Sequence, residues 1–332
     1  MVLANWGDLD RDDWDAIILG NGASIAVDDR FSYSSLLTTA SAEKLISEPI
    51  RQIFDYLETK DFELVLRMLT HASKINEVLC VQDSVVSGAY QSIRHALVQV
   101  VRKSHVAYDT AQPHLDAAGE FLSRFETVIS LNYDIFVYWA MIKWNAEHGH
   151  WFKDCFINGR FKTDWQFLRS PHADTEGSTL VFYPHGNLAL AVSVQGEECK
   201  LFGNQGKLLD ALFDRWRSGE VSPLFVSEGT SEQKRRAIGR SQYLSEIYDN
   251  VLPDLGENVV IYGWSMSDPD RHLLGPILKG ARLRRLAVSV LPEGNIARTV
   301  ATLEERIREQ AADPKLRIEF FDATGAGCWI HP

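Results

Sequence analysis

The 332-residue chain carries 34 Lys and Arg against 45 Asp and Glu, a formal net charge of -11, with 45% hydrophobic and 24% charged residues. That is the composition of a soluble protein with a sizeable core, built as one large α/β domain or two smaller ones. An acidic surface gains nothing from counterion release on nucleic acid, no run nears the roughly 18 apolar residues of a membrane span, and the acidic residues 1–15 make no signal peptide, so a cytoplasmic protein is expected.

Residues 15–20 (DAIILG), a short apolar run stopping at glycine, predict a buried parallel strand. Gly20-Asn21-Gly22-Ala23-Ser24 follows directly, the order of a βα phosphate turn. From 35 to 118 apolar residues recur at helical spacing, as in Phe62, Val65, Leu66 and Leu69 and again in Ile93, Leu97, Val100 and Val101. This stretch predicts a large insertion of several helices. Strands are expected at 127–131 (TVISL), 179–183 (TLVFY), 258–262 (NVVIY), 286–291 (LAVSVL) and 316–321 (LRIEFF), and a loop at 162–177. Thr230 to Gln233 fits a capping box opening a helix to about residue 248. Ser267, Asp268 and Pro269 fit an N-cap and first-turn proline for a helix over 271–279, and 293–311 predicts another. Strands alternating with helices define an α/β fold: a Rossmann-like, mostly parallel sheet with helices on both faces. It would be formed by residues 1–34 and 119–332, with the helical insertion at 35–118.

In open parallel sheets ligands sit beyond the carboxyl ends of the strands. The strand ends here offer Gly20 to Ser24, then Asn132-Tyr133-Asp134, then His185-Gly186, then Gly263-Trp264-Ser265 followed by Asp268 and Asp270. Their convergence on one rim weighs more than any one motif. The glycines permit a tight turn and close approach of backbone N–H groups to phosphate oxygens, with Ser24 adding a hydroxyl. A simple turn is the competing reading. The spacing departs from GxGxxG and no strand-end acid follows, which disfavours a conventional dehydrogenase. Asn132 would position a ribose hydroxyl or a water, or else cap a turn. His185 would accept a proton or orient a ribose hydroxyl, or else be a satisfied core histidine. Asp134 would hold a hydroxyl, fix Asn132 or cap a helix, and Asp268 and Asp270 read as helix caps. The basic strips Lys234-Arg235-Arg236 and Arg282, Arg284 and Arg285 read as solvated flanks. Cys80, Cys155, Cys199 and Cys328 are scattered and form no CxxC pair, so no metal site is predicted.

The segments ILGNGASI (18–25), SLNYD (130–134), YPHGNL (183–188) and YGWSMSDPD (262–270) resemble, in order and character, the motifs of the SIR2-like (sirtuin) superfamily. The whole chain is similar to the bacterial DUF4917 type, which Asp61-Phe62-Glu63 and Ser227 to Ser231 also resemble. The resemblance implies that Gly20, Asn21, Gly22 and Ser24 hold the diphosphate of NAD, with Asp134 beside them. It implies Asn132 and His185 as a catalytic pair at the nicotinamide ribose. Gly263 and Ser265 would line the phosphate and adenosine side, with Ser289 approaching the adenosine ribose. The two CxxC pairs of the sirtuin zinc module are missing, which points away from a deacylase. Bacterial relatives lacking that module resemble NAD-depleting anti-phage effectors, so an NAD+ hydrolase is expected. It would assemble as a homo-oligomer or with a defence partner such as a hexameric ATPase. Against it stand a non-catalytic NAD or ADP-ribose sensor, a deacylase with an unusual clamp, and a structural subunit of a larger complex.

Overall fold

The computed structural model of the chain describes residues 3–9, 14–32, 36–226 and 228–331; Ser227 and the side chain of Glu63 fall outside what is described. The first strand, β1 (Ala16–Leu19), is buried along its whole length and runs into the short helix α1 (Asn21–Ile25). Helices α2 (Leu36–Ala42), α3 (Glu48–Tyr56), α4 (Phe62–Val78), α5 (Ser84–Ser104) and α6 (Leu115–Leu122) lead to β2 (Thr127–Ser130). Then come α7 (Phe136–His148), β3 (Phe152–Lys153), β4 (Thr179–Phe182), β5 (Gly186–Ser193), β6 (Glu198–Lys200), α8 (Leu208–Ser218) and β7 (Val221–Phe225). The chain closes with α9 (Ser231–Ile238), α10 (Gln242–Glu246), β8 (Asn258–Tyr262), α11 (Arg271–Leu278), β9 (Arg285–Val290), α12 (Ile296–Gln310) and β10 (Arg317–Asp322).

Seven strands form one sheet in the order β10-β9-β8-β1-β2-β4-β3, every pair parallel. Helices pack around it, which accounts for the burial of every residue of β1, β2 and β4: a strand covered on both faces has no water-facing side. The expected Rossmann-like α/β architecture is what the chain adopts. From β1 the chain first builds outward through β2 and β4, then returns to add β8, β9 and β10 on the other side. The strand order therefore reverses at β1, and Leu19, its last residue, lies in register with Ser130 of β2 and Tyr262 of β8. Buried residues of the inserted helices, among them Phe62, Val65, Ile93 and Val101, join the same hydrophobic cluster as the sheet.

Local chemistry explains the departures from expectation. The capping box of Thr230 and Gln233 is formed, yet the helix it opens ends at Ile238 instead of running to 248. Ser241 is extended (φ -111°, ψ 131°) and its hydroxyl accepts from Leu244 N–H, starting a second helix. Before α11, Asp268–Asp270 form a 3₁₀ turn, and neither Ser267 nor Asp270 makes a side-chain cap. The 162–177 loop holds a 3₁₀ turn, Trp165–Arg169. The antiparallel sheet β6-β5-β7, the edge strand β3 and helices α7 and α8 were not anticipated.

A two-lobed crevice at the strand ends

The four strand ends do converge. After β1, Gly20 N–H donates to the Tyr262 carbonyl (2.8 Å) and Gly22 N–H to the Gly263 carbonyl (2.7 Å). A Cβ on Gly20 would lie 2.5 Å from Trp264 Cα, and one on Gly22 2.8 Å from Gly263 Cα. The glycines thus permit two strand-end turns to pack backbone on backbone, and the Gly22 amide is spent on that contact rather than left for a phosphate. Gly263 takes φ +65°, and its N–H donates to Ser289 Oγ (2.9 Å). Ser289 accordingly holds this turn in place from β9.

Ser24 is corrected in role. It is buried behind the turn, donates to Asp134 Oδ2 (2.6 Å) and accepts from Asn132 Nδ2 (2.8 Å). Its proton being committed to a carboxylate, it braces the turn instead of facing a diphosphate. Asp134 uses its other oxygen to accept from Phe136 N–H at the start of α7 (2.9 Å). The Asn132 amide also donates to the Gly20 carbonyl (3.0 Å). That carbonyl can only accept, so the orientation of the carboxamide is fixed and Oδ1 is the group left over. His105, at the end of α5, accepts from Ile135 N–H (3.2 Å) and so ties the insertion to this loop.

His185 is held by the unforeseen small sheet. Val226 N–H donates to its carbonyl (2.7 Å), and Gly186 (φ +70°) lies so near Leu224 that a Cβ would sit 2.1 Å from that carbonyl oxygen. His185 Nδ1 faces the Leu131 carbonyl at 3.4 Å and Nε2 faces His272 Nε2 at 3.1 Å. Asp270 Oδ1 lies 4.0 Å from Nε2 and 2.8 Å from Lys234 Nζ. Burial, aided by the Lys234 charge, pushes His185 down to about 3, and burial pushes His272 down to about 4. Both imidazoles are neutral at neutral pH. With Nδ1 directed at a carbonyl, a neutral His185 has its lone pair at Nε2, directed toward His272 Nε2.

Sequence reasoning missed His272 and read Lys234 as solvated and Asp270 as a helix cap. Lys234 is buried, not part of a solvated basic strip, and Asp270 pairs with it rather than capping α11. Nothing in their spacing signals this, since α9 and the start of α11 meet only in the folded chain. His150, His172 and Asp174 also come together, exposed, both rings contacting the carboxylate (2.8 and 2.6 Å); none of them lines the crevice.

Two cavities adjoin at this rim. The inner one, about 490 Å³, is lined by Asn21, Asn132, His185, Lys234 and Asp270 among others. The outer one, about 620 Å³, extends over β9 and α12. Gly22, Ile25, Gly263, Trp264 and Ser265 line both. Along the wall, the backbone N–H groups of Asn21, Trp264, Ser265 and Ser267 find no acceptor among the described residues, nor does the buried Asn21 Oδ1 find a donor. Such amides suit an anion. Of the residues expected at the ligand, Gly20, Asn21, Gly22, Asn132, His185, Gly263, Ser265 and Ser289 line one cavity or both, whereas Ser24 and Asp134 lie behind.

Fold and crevice together define a Rossmann-like α/β protein with a two-lobed cavity where the strand order reverses. The chain belongs to the DUF4917 family, described as a domain of unknown function, whose profile matches residues 17–329. It matches no curated protein. No helix among the described residues is long and apolar enough to cross a membrane.

Proposed function

We propose that the protein is a SIR2-like NAD+ hydrolase that releases nicotinamide and ADP-ribose. The observation that carries this reading is the pair of adjoining cavities at the reversal of strand order, where the backbone N–H groups of Trp264 and Ser265, which line both, find no acceptor among the described residues. A dinucleotide has that form, two nucleoside ends joined by a diphosphate, and this is where open α/β sheets bind ligands. In the reaction the C1′–N bond breaks and its electron pair leaves with neutral nicotinamide. A water oxygen bonds to C1′ and one proton is released. The leaving group is already cationic, so the protein's work is orientation and management of that proton. Asn132 Oδ1 is an acceptor for the water or a ribose hydroxyl. His185 Nε2 is an acceptor for a proton, and the Asp270 carboxylate favours the imidazolium that results.

The depressed basicity of His185 supports a second reading, in which the crevice binds NAD or ADP-ribose without turning it over and gates a partner. Assembly, as a homo-oligomer or with a defence-system partner, is proposed for the α4–α5 tip, where Ile75, Val78, Leu79, Val81 and Val85 are exposed. The deciding experiment incubates the purified protein with NAD+ and follows nicotinamide release. Turnover is expected to fall by about 100-fold or more in both Asn132→Ala and His185→Ala. Binding without release would leave the sensor reading; neither binding nor release would defeat both.

A further inference from the structure

We infer that the outer cavity is a subsite for a phosphorylated adenosine ribose, so that the preferred dinucleotide is NADP+ rather than NAD+; this rests on the dinucleotide reading above. Three observations converge. First, among the described residues no Asp or Glu lines the outer cavity. Rossmann sites that take NAD place a carboxylate on the ribose 2′-hydroxyl, whereas those that take NADP meet the 2′-phosphate with arginine. Second, Arg298, Thr302 and Arg306 line the cavity from α12 at four-residue spacing, one face of the helix. Third, neither arginine pairs with a carboxylate among the described residues. On the same helix Arg308 pairs with Glu304 and Glu309 with Arg271. In a chain of net charge -11, two guanidinium groups that line one cavity and meet no carboxylate among the described residues suit an anionic ligand.

The two arginines divide the work. Arg306 Nη1 donates to the Ser265 carbonyl (2.8 Å), which holds it at the wall shared by the two cavities, beside the open amides where a diphosphate would pass. Arg298 lies two helical turns away, about 12 Å along the axis at 1.5 Å per residue, at the other end of the outer cavity's α12 wall. It is exposed and free to form a bidentate pair with a phosphate monoester. Hydrolysis proceeds as for NAD+, with bond breaking confined to C1′–N and bond making to C1′–O. The products are nicotinamide, 2′-phospho-ADP-ribose and a proton.

The test is calorimetric titration of the whole protein with NADP+ and NAD+, and with 2′,5′-ADP and 5′-AMP, which carry the same contrast without nicotinamide. NADP+ is expected to bind about tenfold or more tightly than NAD+, as 2′,5′-ADP against 5′-AMP, because a charge-assisted bidentate pair is gained. In Arg298→Glu both ratios are expected to fall to about one or below, since the new carboxylate repels the 2′-phosphate. Equal binding of NADP+ and NAD+ by the native protein, or ratios that survive Arg298→Glu, overturns the subsite and leaves the dinucleotide reading standing. Failure of all four probes to bind defeats the dinucleotide reading, and the subsite with it.

Discussion

At the scale of single residues, the crevice rests on a buried network centred on Ser24. The Ser24 hydroxyl satisfies Asp134 and Asn132 at once, and Asn132 in turn holds the Gly20 carbonyl. Ser24→Ala would remove the hydroxyl that the Asp134 carboxylate and the Asn132 amide share. The expected loss is about 2–3 kcal/mol, read as a lower urea midpoint at unchanged slope. A midpoint within experimental error of the native one would mean that water replaces the hydroxyl. This network was only half legible in the sequence. Asn132, Asp134 and Ser24 stood out as polar residues after buried strands. That Ser24 faces inward became visible only when β2 was placed beside β1.

At the scale of elements, the site is made by turns that touch. Gly263 combines φ +65° with a Cβ position 2.4 Å from the Ala23 nitrogen. Gly263→Ala is expected to cost about 3 kcal/mol or more and to weaken nucleotide binding, because both strain and overlap must be relieved by parting the two turns. Gly88 is the contrast. It lies on the exposed side of α5, where an added Cβ would meet nothing within 4 Å, and Gly88→Ala is expected to raise stability by about 0.5–1 kcal/mol. Thermal unfolding of the two variants beside the native chain checks both signs. The central parallel strands β1, β2, β4, β8 and β9 were readable from their apolar residues because both their faces are almost wholly buried. The small sheet β6-β5-β7 was not. Its strand β5 begins at Gly186, directly after the histidine that marks the end of β4, and its partners β6 and β7 are too short to carry a periodicity of their own.

At the scale of the whole molecule, burial of histidine makes the fold sensitive to acid. His185 and His272 titrate at about 3 and about 4 in the folded state, below the ordinary value of 6.5, and burial lowers His105 as well. As pH falls below 6.5 the unfolded chain takes up protons that the folded state refuses. Stability is therefore full above pH 6.5 and declines below it, at up to about 1.4 kcal/mol per pH unit for each ring, until the folded-state values are reached. Urea unfolding at pH 7.5, 6 and 5 should show this decline, and His272→Gln should flatten it. Stability that stays level from pH 7.5 to 5 would mean that these rings are not held neutral.

The sequence by itself determined the fold class, six of the seven strands of the parallel sheet, and the polar residues that stand where those strands end. These follow from local physics: strands covered on both faces must be continuously apolar, and a chain leaving such a strand must turn in small or polar residues. Only the tertiary structure decided which of those residues face the crevice. It alone brought Lys234, Asp270 and His272 to His185 and set Arg298 and Arg306 against the outer cavity. These partners come from α9, α11 and α12, far along the chain from His185 or from the glycine turn. No spacing rule joins them; what joins them is the packing of helices over a sheet whose order reverses at β1.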